Sequence, residues 1–191
     1  MSGDPTRAVV IGASAGAIEA LSLILPELPA NFPLPVLVVV HIPPERRNIL
    51  APLFEAKCRM PVREAEDKEA ILPGTIYFAP SDYHLLVEKG ETVALSSDEP
   101  VLHSRPAIDV LFESAADVYG DRLTGIVLSG ANADGALGLK AIVEAGGAAI
   151  VQEPAEAYAE AMPLAALAAC PSARVMTLAA IADHLVKDCA A

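Results

Sequence analysis

At 191 residues, with 53% hydrophobic and 20% charged residues, the chain has the length of one domain and enough apolar side chains to bury a sizeable core. Its formal net charge of -12 at pH 7 excludes the usual polyanion binders: no surplus of Lys or Arg is on hand to neutralise nucleic-acid phosphates or to meet an anionic membrane surface. Residues 1–7 are polar and run straight into an apolar strand, without the hydrophobic stretch of a signal peptide. No apolar run reaches the roughly 18–20 residues of a membrane-inserted helix. Cys58, Cys170 and Cys189 are odd in number and far apart, with no CxxC or zinc-ligand spacing. They read as reduced thiols of a cytoplasmic protein.

Short β-branched runs alternate with Ala- and Leu-rich stretches. Residues 8–11 are predicted as a first strand and 17–25 as a helix. Pro33 and Pro35 break the chain before 36–40, an apolar run short enough for a buried parallel strand. A helix is expected over 48–57 and a short strand over 62–65, after which Pro73-Gly74 marks a turn. Residues 75–79, 85–88 and 92–95 read as short strands. Lys89-Gly90-Glu91 joins the last two as a hairpin, so this central part is expected to be an antiparallel addition to a parallel sheet.

Pro106 opens a helix over 108–119, and a strand follows at 124–128. The next helix, 136–145, is ended by Gly146-Gly147, and 148–152 is a further strand. A short helix over 163–169, a strand piece over 174–178 and a closing helix over 181–187 complete the chain. This alternation predicts one α/β domain over 1–191: a doubly wound, mostly parallel sheet flanked by helices, with a small antiparallel hairpin insertion.

In such sheets ligands bind outside the carboxyl ends of the strands, near the switch in strand order. Three of these ends carry reactive groups. After the first strand comes Gly12-Ala13-Ser14-Ala15-Gly16, where small residues around a serine suit a sharp strand-to-helix turn with an exposed hydroxyl. The same pattern also suits a phosphate-binding turn or a plain helix N-cap, although both the G-x-G-x-x-G and the P-loop lysine patterns are missing. After the second strand comes His41, and after the 124–128 strand comes Ser129-Gly130-Ala131-Asn132-Ala133-Asp134-Gly135. Asp134 suits a helix cap, or an acceptor that fixes the His41 tautomer. Ser14, Asp134 and His184 form a competing triad in the chain order of α/β-hydrolases, disfavoured because Ser14 follows the very first strand and His184 has no strand end to position it.

Read together, these segments resemble the catalytic domain of the CheB family, the protein-glutamate methylesterases of bacterial chemotaxis. The resemblance is carried by residues 10–21, His41-Ile42-Pro43-Pro44, residues 64–67 and 72–80, and His84. It continues through residues 105–112, Leu128-Ser129-Gly130, Asp134-Gly135-Ala136, residues 145–147, Gln152 and Met162-Pro163. The resemblance implies a Ser14–His41–Asp134 triad and an oxyanion site made by the backbone N–H groups of His41 and Ala131. It further implies substrate contacts by Ala15, Arg105 and Met162, and no metal or organic cofactor.

The implied reaction is hydrolysis of γ-glutamyl methyl esters on the cytoplasmic helical bundles of chemoreceptors, with deamidation of receptor glutamines as a second activity. Ala15, Ala17 and Ala131 depart from the family's usual Thr, Gly and Met, which bears on rate and substrate choice more than on reaction class. Only a few residues precede the first strand, so the expectation is a catalytic domain without the family's receiver domain. A separate receiver-domain chain or a methyltransferase would then be its partner. A same-mechanism esterase or amidase for another substrate, and a non-catalytic receptor-docking module, are the competing functions.

Overall fold

The structure, a computed structural model, describes residues 7–43 and 49–189. In chain order the first half comprises β1 (Ala8–Ala13), α1 (Ala17–Ile24), β2 (Val36–Val40), α2 (Leu50–Glu55), β3 (Val62–Glu64), β4 (Ile76–Phe78), β5 (His84–Glu88) and β6 (Thr92–Ser96). The second half comprises α3 (Ile108–Tyr119), β7 (Leu123–Val127), α4 (Ala136–Glu144), β8 (Ala148–Gln152), α5 (Ala161–Ala169), β9 (Arg174–Met176) and α6 (Leu178–His184), followed by a π-helical turn, Leu185–Cys189.

Seven strands form one parallel sheet in the order β3-β4-β2-β1-β7-β8-β9. The chain winds outward from β1 through β2, then returns to β7 on the other flank of β1, so the switch in strand order falls at β1. Both faces of such a sheet are covered, and its central strands must therefore be apolar at every position. β1, β2 and β7 are buried throughout. Alternate residues serve opposite layers: Val9, Ile11, Val36 and Val38 pack with α1, α2 and α6, while Ala8, Val10, Leu37 and Val39 pack with α3, α4 and α5. Among the described residues no helix is long and apolar enough to cross a membrane.

The expected doubly wound architecture is the observed one, with differences in detail. Residues 75–79 contain β4, which is parallel and belongs to the main sheet. The antiparallel part is confined to β5 and β6, a separate two-stranded sheet that packs on α3, with the Val87 N–H donating to Ser114 Oγ of that helix. β1 runs two residues further than expected, through Gly12 and Ala13. α2 is shorter than the 48–57 expected, and Asn48 lies outside the described residues, as does Pro44. α6 starts three residues early because Thr177 caps it, its Oγ1 accepting the Ala180 N–H at 3.2 Å.

Two glycines permit close approaches that matter below. A Cβ on Gly12 would lie 2.3 Å from Ile108 Cγ2, so the bare backbone lets the start of α3 sit against the end of β1. A Cβ on Gly138 would lie 2.6 Å from Phe112 Cβ and 3.0 Å from Asp109 Cα, so α4 meets α3 almost backbone to backbone. Gly138→Ala should therefore lower the melting temperature. The gain in helix preference of about 1 kcal/mol is outweighed by overpacking of about 1–3 kcal/mol. Thermal unfolding at neutral pH checks this, and an unchanged or raised midpoint contradicts it.

Candidate active site

Strand register brings the three strand ends together. Ala13 pairs with Val40, so Ser14 and His41 emerge side by side just beyond the sheet. On the other flank Gly12 pairs with Val127, and the ladder continues as Leu128 N–H to Gly12 O and Ser14 N–H to Ser129 O, each 2.9 Å. The loop after β7 is thereby tied to the turn that carries Ser14. The N-cap of α1 is Gly16, with no side-chain cap, so the Ser14 hydroxyl is not used as a helix cap.

Asp134 is fully buried and accepts three hydrogen bonds. Its Oδ2 takes His41 Nε2 at 2.7 Å and the Ile108 N–H at 2.6 Å, and its Oδ1 takes the Asp109 N–H at 2.9 Å. Asp134 is indeed a helix cap, but for α3 rather than for the helix it precedes. Free N–H groups and the positive end of α3 stabilise its negative charge. One side chain thus receives both the start of α3 and the His41 ring. His184 lies elsewhere, with Arg174 Nη2 2.9 Å from its Nε2 and Cys189 Sγ at 3.9 Å.

Asp109, in the first turn of α3, returns the favour: its Oδ1 accepts the N–H groups of Gly135 (2.9 Å) and Gly138 (2.7 Å) at the start of α4. Burial pushes its carboxyl up to about 6, with the Asp134 charge adding to the rise and the Gly138 N–H opposing it.

The turn around Ser14 is held by Ser129. Its Oγ donates to Ala15 O at 2.6 Å and accepts the Ala159 N–H at 2.9 Å, while its own N–H donates to Gln152 Oε1 at 2.9 Å. Of the expected oxyanion pair, the His41 N–H is already committed: it donates to Ala13 O at 3.2 Å, because the β1–β2 ladder runs one residue beyond β2. Ala131 is exposed in its loop, and its N–H has no partner among the described residues.

The expected substrate-contact residues fall in different surroundings. Ala15 offers its carbonyl to Ser129. Arg105 borders a cleft, but its guanidinium is engaged inside the protein: Nε and Nη2 donate to Asp82 Oδ1 at 3.0 and 2.7 Å, and Nη1 donates to Ser97 O and Asp98 O. It pins the 97–104 loop. Met162 is buried, with its side chain against Gly130, and supports the loop after β7 from below.

His84 is buried in a single tautomer, Nδ1 accepting the Ala107 N–H and Nε2 donating to Glu99 O, and it joins the hairpin to the start of α3. Burial pushes the Cys58 thiol up to about 11 and raises Cys170 as well, the opposite of what a nucleophilic thiolate needs. Among the described residues no group of three or more His, Cys, Asp or Glu is placed to hold a metal ion.

Ser14, His41, Ile42 and Pro43 form the ridge between two clefts. One is apolar, walled by Ala17, Ile18, Val40 and Leu50. The other is polar, walled by Asp82, His103, Ser104, Arg105 and Asn132. Sequence reading missed Asp109 and Ser129. An Asp in a first turn reads as ordinary dipole compensation, and a Ser after a strand reads as loop; nothing local shows whose backbone they bind.

The fold and these residues define a class: a doubly wound α/β protein with a serine, a histidine and a buried carboxylate gathered at the strand-order switch. Residues 9–185 match the family model described as CheB methylesterase. A Leptospira interrogans protein, provisionally named a protein-glutamate methylesterase/protein-glutamine glutaminase, is 46% identical over 181 residues, covering 95% of this chain and 94% of that one. Protein-glutamate methylesterase/protein-glutamine glutaminase 1 of Carboxydothermus hydrogenoformans is 40% identical over 185 residues, covering 94% of this chain and 54% of that protein. The crystal structure of the Thermotoga maritima CheB methylesterase catalytic domain superposes with a TM-score of 0.90 at 32% identity, covering 98% and 99% of the two chains. The chain belongs to the CheB methylesterase family.

The raised Asp109 carboxyl has a stability consequence. The folded protein keeps this proton to about 6, whereas an unperturbed carboxyl releases it near 3.8. Stability from this group is full below the lower value and is lost as pH rises through that window. Asp109→Asn removes the titration, so the melting temperature of the variant minus that of the wild type should rise between pH about 4 and about 7, by at most about 3 kcal/mol in stability. A flat difference across that range contradicts the assignment.

Proposed function

We propose that this chain is a serine esterase that hydrolyses γ-glutamyl methyl esters on the cytoplasmic helical bundles of chemoreceptors, and that it also deamidates receptor glutamines. The observation that carries the reading is the His41–Asp134 pair at 2.7 Å, seated on the ridge where Ser14 faces both clefts. Family membership supplies the substrate class.

With Nε2 bound to Asp134, the other ring nitrogen of His41, Nδ1, is the one left to serve Ser14. His41 takes the Ser14 proton as the oxygen attacks the ester carbonyl, and Asp134 holds the ring and stabilises the imidazolium. The Ala131 N–H is a donor for the oxyanion, a contact whose loss typically costs about 2.7–4 kcal/mol in the transition state. His41 returns the proton to the departing methoxide, which leaves as methanol. Water, deprotonated by His41, then attacks the acyl-enzyme, and the proton returns to Ser14 as the glutamate leaves. For a glutamine the leaving group is ammonia. No metal or organic cofactor enters these steps.

The apolar cleft suits the aliphatic flank of a substrate helix, and the polar cleft beside Arg105 and His103 suits its hydrogen-bonding side chains. Receptor helices of this kind lie in the cytoplasm, and a separate receiver-domain chain or methyltransferase would be the regulatory partner.

Receptor membranes carrying radiolabelled methyl groups test the reading. Wild type should release volatile methanol, and Ser14→Ala and Asp134→Asn should each lower the rate by about 10⁴-fold or more. His184→Ala should leave it unchanged. Equal rates for wild type and Ser14→Ala would remove Ser14 from the mechanism, and no release by any of them would remove the receptor ester as substrate.

A further inference from the structure

We propose that Asp109 is a positioning residue for the esterase reaction: its carboxylate, seated on the start of α4, holds the Asp134 loop so that the Asp134–His41 pair stays aligned. The inference rests on the triad reading above and extends it to a residue that touches neither His41 nor Ser14.

The geometry is reciprocal. Asp134 accepts the first N–H groups of α3, from Ile108 and Asp109, and Asp109 accepts the N–H groups of Gly135 and Gly138 at the start of α4. Gly135 is the residue directly after Asp134 and sits at φ +97°, a left-handed conformation that leaves the chain free to pivot there unless something pins it. The Asp109 carboxylate is that pin. The carboxylate before α4 closes the start of α3 and the carboxylate in α3 closes the start of α4, and His41 sits on Asp134 Oδ2, the oxygen that also takes the Ile108 N–H.

A cap alone does not require a charge, since Ser, Thr or Asn closes a helix start comparably well. Asp109 is nevertheless an acid, buried, with Asp134 across the helix interface and Glu113 one turn along α3 both raising its carboxyl, and burial raising it more than either. The charge costs stability at neutral pH, yet the carboxylate is held on the two N–H groups of α4 directly behind the Asp134–His41 pair. It adds a second negative charge behind Asp134, where the imidazolium of His41 forms. When Asp109 is protonated, its grip on the two α4 N–H groups weakens and that charge is gone.

Asp109→Asn keeps the shape and one acceptor and removes the charge. With receptor methyl esters, its KM should equal that of the wild type, and kcat at pH about 8 should fall about tenfold, the scale of a small misplacement of a catalytic group. Wild-type kcat should approach the variant's value as pH falls through about 6, so the ratio between them should shrink toward one. A ratio of one at every pH overturns the proposal. So does a reduction that is constant with pH, the signature of structural damage alone. Asp109→Ser, a capping side chain without charge, should behave as Asp109→Asn does. Full activity with Ser overturns the proposal even if the Asn variant fails to fold.

A second measurement needs no substrate. The proton on His41 Nε2 should give a sharp downfield NMR signal in the wild type and a broadened, upfield-shifted one in Asp109→Asn. An unshifted, sharp signal overturns the inference. If Ser14→Ala retains activity, the triad reading fails, and this signal still decides whether Asp109 orders the Asp134–His41 pair.

Discussion

Asp134 lies buried at the beginning of a helix to which it does not belong. A carboxylate removed from water must find donors, and it finds two of its three on the first turn of α3, at Ile108 and Asp109. The third donor is the ring of His41. The same contact closes α3, orients an imidazole and fixes the distance between β2 and the loop after β7. Asp109 closes α4 in exchange, so the two helix starts are interlocked by carboxylates that each serve the other's backbone. Moving either helix would disturb the histidine.

This interlock is possible because the backbones come unusually close. Gly12 lets Ile108 rest on the end of β1, and Gly138 lets α4 press on Phe112 and Asp109. Volume added at either position would push α3 away from the sheet or from its partner helix. The loop after β7 carries the other half of the arrangement. Ser129 holds the Ala15 carbonyl, Gln152 holds Ser129, and Ala131 presents an N–H, all within a few residues of Asp134. One loop therefore sets both the turn that carries Ser14 and the orientation of the His41 ring.

The departures from the family pattern are all at small side chains. Ala15 contributes its carbonyl to the Ser129 bond, and Ala131 contributes backbone, so neither task depends on the side chain that is absent. Arg105, conspicuous in the sequence, spends its guanidinium on Asp82 and two carbonyl groups. It borders the polar cleft and holds that wall in place. The two clefts thus take their character from loop position, with His103, Ser104 and Asn132 lining one side of the ridge and apolar side chains the other.

The alternation of apolar strands and helices determined the doubly wound sheet, since fully buried parallel strands require runs such as residues 36–40. The small residues around Ser14 and the polar residues closing β2 and β7 were legible for a similar reason: only strand ends in such a sheet can afford them. Ser14, His41 and Asp134 could be named together from local pattern and family resemblance. What the linear pattern left open was the identity of each partner. The hairpin of 85–88 and 92–95 was legible from its turn, but that it forms a sheet of its own on α3 was not, because a short alternating strand carries no signal of which edge it joins. The contact of the His41 N–H with Ala13 O was not legible, because ladder length depends on the register of two distant strands. The role of Asp109 was not legible, because a carboxylate three positions from a proline shows nothing of the helix it will cap 26 residues later. Composition and periodicity act over a few residues. Which backbone a buried carboxylate closes is decided only when two helices, packed through glycine, bring their free N–H groups to it.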